Sequence, residues 1–243
     1  MGEATSDYSV HAINPVVAVL AGFAVFCVAM ALQLRANKYK AAVYWFAVVM
    51  VAVFGTMCAD VLHVRFRVPY DESAPAFAVV LAVVLFTWYL VEGTLSVHSI
   101  CTRRRELFYW ATVLATFATG TALGDMAATT LHLGYFSSGL VFLGVIAVPA
   151  LGYWLLGFNE VFAFWFAYIV TRPLGASFAD WMGFPPSVGG LGFGHGPVAA
   201  MFTVPIVVAV AYLAASKVDL PADQRRRHLY GVPAALARLS EPY

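Results

Sequence analysis

Along the chain, apolar residues gather in seven long runs, at roughly 13–34, 41–62, 74–97, 106–130, 138–157, 160–181 and 197–216. Each is near the ~20 residues a helix needs to cross a hydrocarbon core ~30 Å thick. The first, NPVVAVLAGFAVFCVAMALQL, is apolar on every side. A membrane β-barrel would need short segments alternating apolar and polar residues. The pattern therefore predicts an all-α, polytopic helical membrane protein with seven spans. They form one transmembrane domain over 1–216, followed by a cytoplasmic tail over 217–243.

Composition narrows the picture in the same direction. The chain is 62% hydrophobic and only 11% charged, with a mean hydropathy of +0.80, too little charge to cover a soluble domain. The opening MGEATSDYSVHAINP carries no basic stretch before its first apolar run, which argues against a signal peptide. With seven spans, Arg35, Lys38, Lys40, Arg103, Arg104, Arg105, Lys217, Arg225, Arg226, Arg227 and Arg238 collect on one side. The other side holds Arg65 and Arg67, diluted by Asp71 and Glu72. The positive-inside rule then predicts a plasma (inner) membrane protein with a cytoplasmic C-terminus. The net charge of +1 gives no reason to expect nucleic acid as a partner. The RRR triplets at 103–105 and 225–227 read as topology signals near anionic headgroups. Cys27 and Cys58 read as buried apolar residues and Cys101 as a loop residue, with no disulfide framework implied.

A hexapeptide recurs: GEATSD (2–7), GTMCAD (55–60), GTALGD (120–125) and GASFAD (175–180). The last three align without a gap over eighteen residues, with Trp45, Trp110 and Trp165 each fifteen residues before the aspartate. A second helix follows each motif, opening near Asn14-Pro15, Pro75, Ser137-Ser138 or Gly196-Pro197. The repeating unit is thus a helix pair, over about 1–35, 41–97, 106–157 and 160–216. The first unit lacks its first helix, since the chain starts at the motif glycine; either the sequence continues upstream, the favoured expectation, or this member works with seven spans instead of eight. Two-helix units keep one orientation, so the four aspartates are expected at similar depth near the outer leaflet, able to converge about an axis along the membrane normal.

The glycines read as close-packing positions, because small residues four apart let helix backbones approach. The aspartates ask for more. A carboxylate meets the negative end of the dipole near a helix C-terminus, and ionisable groups within spans mark pathways or paired sites. Asp7, Asp60, Asp125 and Asp180 are the candidate ion-binding residues. Glu3, Thr56 and Thr121, each four residues before an aspartate, share its helix face and add oxygens. The competing reading is that the aspartates are solvated at the outer water interface. Arg172, eight residues before Asp180 and followed by Pro173, is expected to compensate the acidic charge or to form a structural ion pair. His11 and His63, four and three residues after Asp7 and Asp60, are weaker metal-ligand candidates, with interfacial polar residues as the plainer reading. His132 ranks lower still. Glu92 is expected to reach water, and GGLGFGHG (189–196) reads as a flexible outer loop.

These residues carry a resemblance. The repeated G-[ET]-x-x-x-D helix ends, the ELFYW entry and TRPLGAS-AD resemble a family of bacterial multi-pass proteins described as membrane-anchored. The resemblance covers about 1–216 and implies an inner-membrane protein of repeated helical units, without implying an activity or a cofactor. Three function classes follow from the residues. A cation transporter or channel, for protons or a metal ion, suits converging carboxylates. A non-transporting scaffold or sensor would use the same cluster structurally. An intramembrane enzyme is weakest: the G-x-G-D of aspartyl proteases is broken by Ala122, and no H-E-x-x-H helix occurs. The lipid bilayer and a cation are the expected partners, and no catalytic residue is expected.

Overall fold

The computed structural model describes residues 1–36 and 38–218; Arg225, Arg226, Arg227 and Arg238 lie outside them. Among the described residues eight α-helices run α1 (Gly2–Ala12), α2 (Pro15–Arg35), α3 (Ala41–Asp60), α4 (Tyr70–Glu92), α5 (Arg103–Asp125), α6 (Tyr135–Leu156), α7 (Glu160–Gly183) and α8 (His195–Ser216). No strand occurs among the described residues. Every helix but α1 is long and apolar enough to cross a membrane. The expected all-helical architecture of repeated units is present among the described residues, with seven helices that qualify as spans by length and composition.

Local chemistry explains where the helices begin and end. Asn14 and Asn159 cap α2 and α7 by accepting from Val16 N (3.0 Å) and Val161 N (2.9 Å), satisfying first-turn donors. Gly93 and Gly157 end α4 and α6 in the left-handed conformation. Several helices start earlier than the apolar runs suggest, at Tyr70, Arg103, Tyr135 and His195. Pro75 accordingly lies inside α4, not at its opening. Hydropathy marks only the apolar part of a helix, whereas Asp71 and Glu72 suit the first turn of α4 electrostatically.

The packing follows the repeat. Helices α1, α3, α5 and α7 form an inner ring, with α1 on α3, α3 on α5, α5 on α7 and α7 back on α1. The second helix of each unit lies on the next unit's inner helix: α2 on α3, α4 on α5, α6 on α7, and α8 on α1. The short α1 therefore fills the inner position of the first unit with the motif alone. Ionic loops gather at one end of the bundle, here the basic end. The motif aspartates sit toward the other, the acidic end.

The motif glycines explain how closely the ring packs. A Cβ on Gly2 would lie 2.8 Å from Ala52 Cβ, and one on Gly55 2.6 Å from Phe117 Cβ. One on Gly120 would collide with Arg172 Cβ and Pro173 N. In every case the neighbour stands three residues before the next unit's glycine. Gly175 departs from this rule: it is exposed and has nothing within 4 Å. The aromatic half of the repeat builds the core of the basic half, where Trp88, Tyr109, Trp110 and Trp165 are buried together. Trp165 Nε1 donates to Leu95 O at 2.9 Å. Cys27 faces outward rather than into the bundle, because α2 is an outer helix.

Candidate functional site

The motif places its acids on two levels inside the ring. Nearest the middle, Glu3 Oε2 accepts from Thr121 Oγ1 (2.7 Å) and Thr56 Oγ1 (3.2 Å). The two hydroxyls are 3.1 Å apart, and all three residues are buried. The equivalent positions of three units thus meet on one carboxylate, and Ala176 occupies the fourth. This junction ties α1, α3 and α5 together.

One helical turn further toward the acidic end stand the aspartates. Ser6 Oγ donates to Asp60 Oδ2 at 3.1 Å, and the Tyr70 phenol, at the start of α4, hydrogen-bonds Asp125. Asp7 Oδ2 lies 3.2 Å from His195 Nδ1. Asp180 is only 2% exposed and its Oδ1 has no hydrogen-bond partner. Its charge is within electrostatic reach of Glu3, Asp125, Asp7 and Asp60, so acids from all four units share one region. Among the described residues no lysine or arginine forms an ion pair with any of the five. On the short α1, burial pushes the Glu3 and Asp7 carboxyls above the usual carboxylate range, reinforced by Asp125 at Glu3 and by Glu3 at Asp7.

The backbone changes character at two of these aspartates. Directly after Asp60 and Asp125 the helix widens into five-residue π turns, Val61–Arg65 and Met126–Thr130, a feature that recurs at functional sites. Seven residues past each aspartate, Arg67 and His132 adopt positive φ (57° and 56°). His132 is an exposed turn residue. In α7 the helix instead runs on regularly to Gly183.

Other expected residues land elsewhere. The Arg172 guanidinium does not reach the acids: it lies over the rings of Phe117 (3.9 Å) and Tyr168 (4.3 Å), with its Nε buried and unpartnered. Its Cβ packs against Gly120, which directs the side chain toward the basic half and away from Asp180. His63 is engaged by Val68 O (3.0 Å) and stacks on Tyr70 at 3.8 Å, so it supports the phenol that meets Asp125. His11 Nδ1 contacts Asp7 O at 2.7 Å and its ring stacks on His195. Glu92 does not reach out into water; Arg104 and Arg105 (2.7 Å) enclose its carboxylate, which clamps the end of α4 to the start of α5.

Three contributors escaped the sequence reading: Ser6, Tyr70 and His195. Ser6 was visible only as a small residue of the motif, and Tyr70 lies before the apolar run of its span. His195 belongs to the stretch read as a flexible loop, which is instead tied down. Leu191, Gly192, Phe193 and Gly194 donate backbone N–H groups to Trp181, Phe184, Met182 and Gly183 carbonyls, at 2.7–3.1 Å. This ladder delivers His195 to the acids as the first residue of α8.

At the basic end a cavity of about 790 Å³ is lined by residues that include Gln33, Lys38, Tyr44, Glu106, Tyr109 and Tyr168. Tyr44 and Tyr109 share a 2.7 Å hydrogen bond at its wall. Arg172 and the buried Thr112, Thr116 and Thr119 of α5 stand at levels between cavity and acids.

A repeat-family model, described as a repeat of unknown function (DUF347), matches residues 43–94, 108–157 and 163–219. The chain belongs to the DUF347 repeat family. The matched copies coincide with the three complete helix pairs, and α1–α2 form a further pair outside them. No curated protein and no solved structure matches the chain.

Proposed function

We propose that this DUF347 protein is a cation transporter or channel, for protons or a metal ion, whose site is the acidic cluster of the inner ring. The observation that supports it most is the convergence of Glu3, Asp7, Asp60, Asp125 and Asp180 without a lysine or arginine partner among the described residues. Buried carboxylates are costly unless paired, protonated or bound to a cation. Thr56, Thr121, Ser6 and Tyr70 add hydroxyls suited to handing a cation or proton between them. The cavity at the opposite end supplies a second aqueous approach, separated from the acids by the level of Arg172. In this reading the membrane is the plasma (inner) membrane, the basic end faces the cytoplasm, and the acids face outward. No catalytic step is assigned.

A structural reading has one specific support. The Glu3–Thr56–Thr121 junction joins three helices, as a scaffold would require. Flux separates the two. Reconstituted into proteoliposomes, wild type should conduct at least one cation from a panel of protons, alkali and divalent metals. Asp125→Asn should abolish that flux while keeping the wild-type elution and melting profile. No flux from folded wild-type protein would leave the cluster to the scaffold reading.

A further inference from the structure

The four motif aspartates are not equivalent. Asp60 is satisfied by Ser6 and Asp125 by Tyr70. Asp7 and Asp180 instead face His195, and the three offer ligand atoms all within 4.8 Å of one another. They come from α1, α7 and α8, so only the closed ring assembles them.

The contacts within this trio leave ligand atoms free. A carboxylate–imidazolium pair closes to ~2.7–2.9 Å with an aligned N–H. Here Asp7 Oδ2 and His195 Nδ1 stay 3.2 Å apart, and Nδ1, although buried, makes no hydrogen bond. Asp180 Oδ1, on a residue 2% exposed, is also unpartnered. Ligands bound tetrahedrally at ~2.1 Å stand roughly 3.4 Å from each other; Asp7 and His195 are at that spacing, at 3.2 Å, and all three ligand atoms lie within 4.8 Å.

The imidazole is also held in place. It lies over Gly183, where a Cβ would come within 2.7 Å of Nδ1. Phe184 meets it edge-on at 4.8 Å and His11 stacks on it at 5.8 Å. The hydrogen-bonded ladder from 191 to 194 fixes its backbone.

From this geometry we infer that Asp7, Asp180 and His195 form a binding site for a first-row divalent transition metal. Two carboxylate oxygens and one imidazole nitrogen match the donor preference of such ions better than that of Mg²⁺ or Ca²⁺, which take oxygen ligands alone. Two carboxylates neutralise the dication, and three protein ligands leave room for a fourth, exchangeable one. The inference rests on the reading of the acidic cluster as a cation site and specifies its ion class; it does not require transport.

The test uses Co²⁺ as probe on the full chain, purified in detergent and stripped with chelator. Calorimetric titration should give one Co²⁺ per chain, not displaced by excess Mg²⁺, and X-ray absorption should show an imidazole nitrogen in the coordination sphere. His195→Ala and Asp180→Asn should each weaken binding by about tenfold or more, with Asp125→Asn affecting it less. Absence of Co²⁺ binding, an all-oxygen sphere, or unchanged affinity in folded His195→Ala would overturn the inference. The absorption spectrum of wild type decides the matter even if His195→Ala fails to fold. Cation flux without Co²⁺ binding would sink the metal site and leave the transport reading; Co²⁺ binding without any flux would do the reverse.

Discussion

The two ends of the bundle treat charge in opposite ways. At the basic end, Glu92 is enclosed by Arg104 and Arg105, and Glu106 pairs with Arg103 at 3.0 Å. At the acidic end, five carboxylates share one region with hydroxyls, two histidines and, among the described residues, no lysine or arginine in an ion pair. The first arrangement matches every carboxylate with at least one arginine and fastens helix ends. The second has the Met1 ammonium within electrostatic reach of Glu3 and Asp180, and that single charge leaves most of the five carboxylates to be neutralised by protons or a cation. Charge at the basic end is matched by arginines, whereas charge at the acidic end is matched mainly by hydroxyls, of which only the Glu3 junction visibly fastens helices.

The sharpest way to test that contrast is to neutralise one acid at each end. Asp125→Asn should eliminate cation flux without loss of folding, because a buried charge is removed while its shape is kept. Glu92→Gln should leave flux near wild type and lower the melting temperature by a few degrees, as its two arginines lose their partner. A flux defect in Glu92→Gln equal to that of Asp125→Asn would erase the distinction.

The middle of the ring joins the ends, and there Gly120→Ala should cost about 3 kcal/mol through overpacking. The new methyl collides with Arg172 and Pro173 on α7. Gly175→Ala, with nothing within 4 Å, should change stability by less than about 0.5 kcal/mol. Thermal melts of the two variants in one detergent compare them directly.

A smaller loss is expected at the threonine junction. Thr121→Val removes the 2.7 Å donor to Glu3 and should destabilise by about 1–3 kcal/mol at neutral pH. The cost should shrink at acidic pH, where Glu3 is protonated. A pH-independent cost, measured by melting at both pH values, would show that the carboxylate charge is not what the hydroxyl serves.

The mildest effect concerns pH itself. Glu3 and Asp7 are raised by burial, so their protonated forms favour the folded state. That contribution is complete below the ordinary carboxylate range and is lost as the pH rises through their elevated values. Metal-free protein should melt a few degrees lower at pH 8 than at pH 5, and a bound cation should restore the difference. At the basic end Glu92 is matched by arginines, so Glu92→Gln should leave this slope unchanged.

Much of the molecule was legible without coordinates. Apolar runs of spanning length leave a helix no alternative in lipid, where every backbone N–H and C=O must be satisfied within the segment. The GxxxxD recurrence fixed the unit, and equal units with equal orientation bring equivalent residues to one depth. That is why Glu3, Thr56 and Thr121 were identifiable as a group before their contact was seen. Pattern could not say which way a long side chain turns: Arg172 lies on the motif helix like Asp180, yet Gly120 and the rings of Phe117 and Tyr168 draw it to the basic half.

Helical class, repeat and the stock of acids follow from the sequence by itself, because hydropathy, periodicity and residue type are local properties. Tertiary structure alone decided the closed ring, with α8 on α1, and the partners each acid received. Those depend on contacts between residues far apart in the chain. His195 is the clearest case: in sequence it ends a glycine-rich stretch, and only the hydrogen-bonded return from α7 to α8 sets it beside Asp7 and Asp180.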